Sequence, residues 1–125
     1  MRVGVVGAGL MGGGMIRNLV AGGHEVHVFA RTPSRADGLP AGLVPGVVAA
    51  ADGADLLLLS VTDSEDVIEV VRAAMDAERP PPVIVDTSTI APAAAREAAA
   101  IAAAGGSEYL DCPVSGGQAG VGAPA

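Results

Sequence analysis

Three glycines near the start of the chain have the spacing that phosphate recognition requires. An apolar run, Val3–Val6, leads into Gly7–Gly12 (GAGLMG), and an apolar-periodic segment follows at once. In such a Gly-x-Gly-x-x-Gly pattern, Gly7 permits a sharp turn, Gly9 leaves no side chain before the phosphate, and Gly12 allows close helix packing. A dinucleotide pyrophosphate then sits on unpaired N–H groups at the positive end of the helix dipole. The chain has 18 glycines, so the alternative is a glycine-rich turn that binds no ligand. The position of the motif between a predicted strand and a predicted helix favours the dinucleotide site.

Strands and helices that would position this turn alternate along the chain. The alternation predicts an α/β fold with a doubly wound, mostly parallel sheet and right-handed crossovers, a Rossmann fold, as one domain over residues 1–125. The predicted strands are Val3–Val6, Glu25–Phe29, Gly42–Val44, Asp55–Val61, Val83–Val85 and Glu108–Leu110. The predicted helices are Leu10–Ala21, Pro33–Leu39, one from an N-cap at Ser64 to Glu78, and one from Pro92 to the Gly105-Gly106 stop.

Composition excludes several classes of function. The net charge of −7 argues against a nucleic-acid or anionic-membrane surface, and no apolar run approaches the length of a membrane span. The single cysteine, Cys112, cannot form an internal disulfide and suits a reducing cytoplasm, so a cytoplasmic protein is expected. We interpret Cys112 as a small buried residue at a strand end. His24 and His27 show no metal-ligand spacing, so no metal site is predicted.

The residues after the second predicted strand indicate which nicotinamide cofactor, NAD or NADP, the chain would bind. NAD sites place Asp or Glu about 20 residues beyond the glycines, where it holds the ribose 2′-hydroxyl. Here that place holds Arg31 and Thr32, with Ser34 and Arg35 close behind, and no carboxylate. A guanidinium and hydroxyls suit a 2′-phosphate, so NADP is predicted over NAD. The alternative is that Arg31 is a solvated surface charge.

Loops that follow the parallel strands should meet at one edge of the sheet. Their residues are small, polar or glycine-rich, which predicts an elongated polar cleft with a phosphate end. The loops concerned follow Val6, Phe29, Val61, Val85 and Leu110.

Four motifs in order along the chain resemble the β-hydroxyacid dehydrogenases, such as 3-hydroxyisobutyrate dehydrogenase and tartronate semialdehyde reductase, with 6-phosphogluconate dehydrogenase more distant. The resemblance spans essentially the whole chain. Imine reductases share the N-terminal half but usually lack the last motif, so they rank lower. The motifs are Gly7-x-Gly9-x-Met11-Gly12-x-x-Met15-x-x-Asn18-Leu19, Gly23-His24-x-Val26, Asp86-x-Ser88-Thr89 and Asp111-x-Pro113-Val114-Ser115-Gly116-Gly117.

This resemblance implies roles by position. Thr62 and Asp63 would lie beside the riboses of the cofactor and Thr89 near its nicotinamide, while Ser115, Gly116 and Gly117 would bind the substrate. The implied reaction is hydride transfer between NADP(H) and a small β-hydroxyacid or semialdehyde, in a homo-oligomer for a full-length form. The implied cofactor-binding positions are Gly7, Ala8, Gly9, Leu10, Met11, Gly12, Arg31, Thr32, Arg35, Val61, Thr62, Asp63 and Thr89.

One departure from the family pattern concerns catalysis. The family's general acid/base is a lysine on a helix of an all-α second domain, which would be expected beyond Ala125, and residues 1–125 contain no lysine. No catalytic residue is therefore predicted within residues 1–125. Loss of a general acid or base typically costs about 10²–10⁴-fold in rate, so the chain as given is expected to bind cofactor without being active.

Two alternatives to the enzyme stay open: a stand-alone module that binds or senses NADP(H), and an inactive fragment. A helical Lys-x-x-x-Asn segment soon after Ala125 would favour the enzyme.

Overall fold

The computed structural model describes residues 1–7, 10–30, 42–61 and 63–112. Strands and helices alternate through these ranges, as the sequence predicts. The strands are β1 (Arg2–Val6), β2 (Glu25–Phe29), β3 (Gly42–Leu43), β4 (Leu56–Leu59), β5 (Val83–Asp86) and β6 (Glu108–Asp111). The helices are α1 (Leu10–Ala21), α2 (Val47–Ala51), α3 (Ser64–Met75) and α4 (Pro92–Ala104).

All the strand pairs are parallel, and the sheet has the order β3-β2-β1-β4-β5-β6. Because β1 lies between β2 and β4, the chain winds outward in one direction after β1 and in the other from β4 onward. This is the doubly wound Rossmann topology, and the predicted fold class is confirmed. In such sheets the crevice at the reversal of strand order, beyond the carboxyl ends of the strands, is where a ligand binds.

Each face of the sheet buries its own apolar layer. The run of leucines in β4 supplies both layers, since Leu57 and Leu59 point to one face and Leu58 to the other. On the first face the layer is closed by α2, α3 and α4, and on the second by α1 through Ile16. A strand buried on both sides reads as a continuous apolar run, which is why β4 could be recognised.

The approach of α2 to β1 requires a glycine. Gly4 is buried on the face that α2 covers, and a Cβ at that position would overlap the carbonyl oxygen of Ala50. It would also lie 3.0 Å from Cδ1 of Leu57. The small residue therefore sets how closely this helix can pack beside the reversal point of the sheet.

Both predicted ends of α3 were wrong. The N-cap is Asp63, whose carboxylate accepts a hydrogen bond from the Asp66 amide at 2.9 Å, while Ser64 is the first helical residue. The helix ends at Met75, before the predicted Glu78. Aspartate and serine are both strong N-caps, so the sequence alone did not choose between adjacent candidates.

The helix α2 is new relative to the sequence prediction, which left residues 40–50 unassigned apart from a short strand. Its five residues, Val-Val-Ala-Ala-Ala, are too few for a periodic pattern, and no side chain caps it. The predicted helix Pro33–Leu39 lies outside the described residues. Within the described ranges, no helix is long and apolar enough to cross a membrane.

Candidate functional site

The carboxyl ends of the strands form one edge of the sheet, and backbone hydrogen bonds join neighbouring strands there. The residue beyond a strand donates its amide to the neighbouring strand, so each loop leaves the sheet from a fixed position. These hydrogen bonds run from Gly7 N to Phe29 O (2.9 Å), Ser60 N to Val6 O (2.9 Å), Thr87 N to Leu59 O (2.9 Å) and Cys112 N to Asp86 O (2.8 Å).

Gly7 has a backbone conformation and surroundings that only glycine satisfies. Its φ is +98°, in the region that residues with a Cβ rarely adopt. A Cβ there would overlap the carbonyl oxygen of Ser60, just beyond β4, and would lie 3.5 Å from Cγ1 of Val61. Gly7 therefore gives the sharp turn predicted for it, at the crevice between β1 and β4.

Charge distinguishes the N-terminus of α1 from that of α3. The first turn of α1 carries no acidic residue, so its positive dipole end is not offset by the helix's own carboxylates. In α3, by contrast, the Asp63 cap precedes Glu65 and Asp66, and three carboxylates already neutralise that end. Of these two helices at the crevice, α1 is the one whose N-terminus favours a phosphate.

A second set of hydrogen bonds joins the loop after β5 to the end of β4 and the residues that follow it. The hydroxyl of Thr87 donates to the carbonyl oxygen of Leu59 at 2.7 Å. The amide of Val61 donates to the hydroxyl of Ser88 at 2.9 Å. Leu59 and Val61, at the end of β4 and just beyond it, are consequently hydrogen-bonded to the first two residues after β5.

Asp86 lies fully buried at the end of β5. One carboxylate oxygen, Oδ1, accepts from the Ser88 amide at 2.9 Å. The other, Oδ2, accepts from the hydroxyl of Tyr109 on β6 at 2.5 Å. Burying a carboxylate costs free energy unless it is hydrogen-bonded. These two donors therefore explain why the fold can bury Asp86.

The hydroxyl of Tyr109 holds its proton unusually firmly. Burial raises its pKa well above the ordinary value of 10.0, and the hydrogen bond to Asp86 raises the pKa further. Tyr109 therefore stays a hydrogen-bond donor across the physiological pH range.

We expect stability to fall at alkaline pH because of Tyr109. In the unfolded chain the phenol loses its proton near pH 10, while in the folded chain it keeps it, so unfolding releases a proton. The free energy of unfolding should decline above about pH 10, with a limiting slope of about 1.4 kcal/mol per pH unit. Because the ring is partly exposed, the pKa is raised less than in a fully buried tyrosine, and the decline covers a shorter pH range. Urea unfolding as a function of pH measures this slope.

The sequence offers a clean control for this slope. The chain has one tyrosine and no lysine, so Tyr109 is the side chain whose ordinary pKa lies nearest this range. Tyr109→Phe should abolish the decline. An equal decline in both proteins would show that another group causes it.

Seven of the thirteen predicted cofactor-binding residues are among those described, and four of these, Gly7, Val61, Asp63 and Thr89, follow the carboxyl ends of strands. Gly7 and Val61 are in proximity, Asp63 caps α3, and Thr89 is exposed in the loop after β5. Leu10, Met11 and Gly12 form the first turn of α1.

The remaining predicted positions lie outside the described residues. They are Ala8, Gly9, Arg31, Thr32, Arg35, Thr62, Ser115, Gly116 and Gly117. Ala125, beyond which the family's catalytic lysine is expected, lies outside the described residues as well. The assignment of the proton-transferring group to a segment after Ala125 therefore stays a prediction.

The interpretation of Cys112 as a buried residue was wrong, since its side chain is exposed. It follows β6, an edge strand whose residues are mostly exposed, so nothing in the described ranges covers it from the open side of the sheet. His27 is half-buried, and its Nε2 lies 3.2 Å from a Glu25 carboxylate oxygen. Among the described residues no group of three His, Cys, Asp or Glu could hold a metal ion.

Sequence reasoning assigned no role to Asp86, Ser88 or Tyr109 beyond the motif that contains the first two. One feature of the sequence could have drawn attention to Asp86: it follows directly after an apolar strand. A carboxylate in that place must be either exposed or hydrogen-bonded. The partner Tyr109 lies 23 positions away, and only the pairing of β5 with β6 brings it alongside.

Known proteins share both this sequence and this fold. Residues 2–124 match the family described as the NAD binding domain of 6-phosphogluconate dehydrogenase. The 2-hydroxy-3-oxopropionate reductase of Escherichia coli is 34% identical over 126 residues, which cover 97% of this chain and 43% of that protein. The chain thus spans less than half the length of this relative.

Solved structures agree with the sequence match. The 3-hydroxyisobutyrate dehydrogenase of Mycobacterium tuberculosis, solved with L-serine, superposes with a TM-score of 0.92 at 33% identity, over 97% of this chain and 43% of that one. An imine reductase from Myxococcus stipitatus, solved with NADP+, has a TM-score of 0.76 at 25% identity, over 87% of this chain and 39% of that one.

The resemblance inferred from the four motifs is confirmed by these matches, and the relatives are oxidoreductases. The chain belongs to the family of the NAD-binding domain of 6-phosphogluconate dehydrogenase, the nucleotide-binding Rossmann domain of hydroxyacid dehydrogenase-like oxidoreductases.

Proposed function

We propose that residues 1–125 form one dinucleotide-binding domain that prefers NADP(H) to NAD(H). In the whole protein this domain would serve hydride transfer between the cofactor and a small β-hydroxyacid or semialdehyde. The observation that carries the proposal is Gly7, whose positive φ and lack of room for a Cβ occur at the reversal point of the sheet.

A nicotinamide dinucleotide fits the residues at this edge. The turn at Gly7 brings backbone without a side chain to the crevice. The first amides of α1 have no partner within the helix, and its first turn carries no acidic side chain. When bound, the cofactor would supply the hydride donor or acceptor, and the protein's share is to bind and orient it. In this proposal Val61, Asp63 and Thr89 contact the ribose and nicotinamide part.

The substrate-binding part of the proposal rests on Ser115, Gly116 and Gly117. A hydroxyl and two glycine amides would suit a substrate carboxylate and hydroxyl. The names of two relatives, a 2-hydroxy-3-oxopropionate reductase and a 3-hydroxyisobutyrate dehydrogenase, support a small hydroxyacid or semialdehyde.

Proton transfer is assigned to a group beyond Ala125. Reduction of a carbonyl needs a proton at the developing alkoxide, and the family resemblance assigns that task to a lysine, a residue type absent from residues 1–125. Residues 1–125 alone should therefore bind the cofactor without turning over substrate.

Arg31→Ala tests the cofactor preference. If Arg31 contacts the 2′-phosphate, the unmodified chain should bind NADPH more tightly than NADH by tenfold or more, since hydrogen bonds to charged groups contribute about 1.5–3 kcal/mol. The variant should lose most of this ratio while its affinity for NADH stays the same. Fluorescence titration of the reduced nicotinamide measures both affinities.

Arg96→Ala is the matched control for Arg31→Ala, because it removes an exposed arginine from α4 and changes the net charge equally. It should leave the NADPH to NADH ratio unchanged. Equal affinities in the unmodified chain, or a ratio that survives in Arg31→Ala, would contradict the assignment of Arg31.

A further inference from the structure

We propose that Asp86 and Tyr109 are positioning residues that set the loops receiving the nicotinamide half of the cofactor. The inference rests on the proposed function and adds two side chains that do not themselves reach the ligand. They would act through the backbone of the loops after β4 and β5.

A continuous chain of hydrogen bonds connects β6 to the crevice. It begins at the Tyr109 hydroxyl, which donates to Asp86 Oδ2, and continues from Asp86 Oδ1, which accepts from the Ser88 amide at 2.9 Å. The hydroxyl of Ser88 then accepts from the Val61 amide at 2.9 Å. The path joins residues that are 23, 2 and 27 positions apart in sequence.

The far end of this path lies against the glycine turn. Cγ1 of Val61 is 3.5 Å from the position that a Cβ on Gly7 would occupy. A shift of the Val61 backbone would therefore move a side chain that lies close to Gly7. A shift at Ser88 would move the adjoining Thr89. In a doubly wound sheet these loops belong to the second nucleotide-binding half, which receives the nicotinamide side of a dinucleotide.

Burial makes a purely surface role for Asp86 untenable. Its side chain is completely buried, and both carboxylate oxygens are occupied by donors within the protein. An apolar residue of similar volume would avoid the desolvation cost of a carboxylate, but it could not fix the direction of the Ser88 amide. The geometry therefore points to orientation of the loop as the contribution of this carboxylate.

Two variants interrupt the path at separate points without changing the volume of Asp86. Tyr109→Phe removes the hydroxyl that holds Oδ2 and keeps the ring. Ser88→Ala removes the acceptor of the Val61 amide. Asp86 itself is left in place because replacing a buried carboxylate could prevent folding.

The readout compares two ligands on each protein. NADPH spans both halves of the crevice, whereas 2′,5′-ADP carries the adenosine half without the second ribose and nicotinamide. Tyr109→Phe, which loses a hydrogen bond to a carboxylate, should bind NADPH about tenfold more weakly, and Ser88→Ala, which loses a hydrogen bond between neutral groups, about three- to tenfold more weakly. Both variants should bind 2′,5′-ADP within about twofold of the unmodified chain. A general loss of stability would not change the ratio between the two affinities once the protein is folded.

Ser107→Ala is the matched control. Ser107 is buried and donates a hydrogen bond of 2.6 Å to the carbonyl oxygen of Pro81, between the segments leading into β6 and β5. This hydrogen bond is buried, as Asp86 is, but it lies at the amino ends of β5 and β6, away from the crevice. This variant should lose stability and keep the affinity ratio of the unmodified chain.

The outcomes separate this inference from the proposed function. If the unmodified chain binds neither NADPH nor NADH, the proposed function itself is wrong. If the unmodified chain binds and both variants keep its NADPH to 2′,5′-ADP ratio, the cofactor site stands and the positioning role is refuted. A selective loss of NADPH affinity in Tyr109→Phe and Ser88→Ala, but not in Ser107→Ala, supports the inference.

Discussion

Gly7→Ala should abolish measurable cofactor binding and should lower the free energy of unfolding by several kcal/mol. A φ of +98° strains any residue with a Cβ, at a cost of about 1–3 kcal/mol. The new methyl group would also overlap the Ser60 carbonyl oxygen, and overpacking typically costs about 1–3 kcal/mol more. To remove this overlap, β1 and the segment after β4 must move apart. That movement would deform the crevice where the pyrophosphate is proposed to bind. Urea unfolding and an NADPH titration measure the two effects.

Gly23→Ala is the matched control for this prediction. Gly23 has a similar φ of +87° in the turn after α1, but a Cβ there would meet no atom within 4 Å. The control should therefore show only the backbone strain, about 1–2 kcal/mol, with unchanged affinity for NADPH. NADPH binding that survives in Gly7→Ala would contradict the proposed place of the phosphate.

Gly4→Ala should destabilise the protein by about 1–3 kcal/mol through packing alone. Gly4 has no positive φ, so the backbone tolerates alanine, but a methyl group would overlap the Ala50 carbonyl oxygen of α2. Backbone atoms cannot rotate aside as a side chain can, so α2 would have to move away from β1. Since a domain's whole stability is about 5–15 kcal/mol, the lower midpoint of urea unfolding should be easily measured.

Gly42→Ala separates this packing effect from a general effect of glycine substitution. Gly42 lies in β3, and a Cβ there would make only ordinary contacts of 3.8 Å. Its replacement should change the unfolding midpoint little. A similar loss of stability in both variants would indicate that the contact with α2 is not the cause.

The fold was predictable from the sequence because local signals agree with the overall topology. The bounds of α1 and β2 match their predictions, since a glycine pair separates them and Gly23 has the left-handed φ expected of a helix stop. Pro92 likewise begins α4 at its first turn. Each of these boundaries depends on a residue whose backbone preference differs from that of its neighbours.

Less of the site could be predicted because its contacts are not local. The glycine motif gave the position of Gly7, which the structure describes with the expected turn. The hydrogen-bonded path from Tyr109 through Asp86 to Ser88 depends on the pairing of β5 with β6. No residue spacing in the sequence predicts that path. The exposure of Cys112 follows from the open edge at β6, which composition could not indicate.

The wrong helix boundaries have a similar cause. Asp63, Ser64, Glu65 and Asp66 can each stabilise the start of a helix, and the choice among them depends on tertiary contacts. Ser64 accepts a hydrogen bond from the Ala91 amide at 3.1 Å, so its hydroxyl serves the neighbouring loop rather than its own helix. Asp63 is left to cap α3.

We propose that a nicotinamide dinucleotide binds at the carboxyl ends of the strands of this sheet. The most direct test is an amide NMR titration of the ¹⁵N-labelled chain with NADPH. The proposal predicts saturable shifts of the Gly7, Val61 and Thr89 amides, with the Gly53 and Gly106 amides, in turns at the opposite edge, unchanged. Absence of any saturable shift, or shifts confined to Gly53 and Gly106, would contradict it.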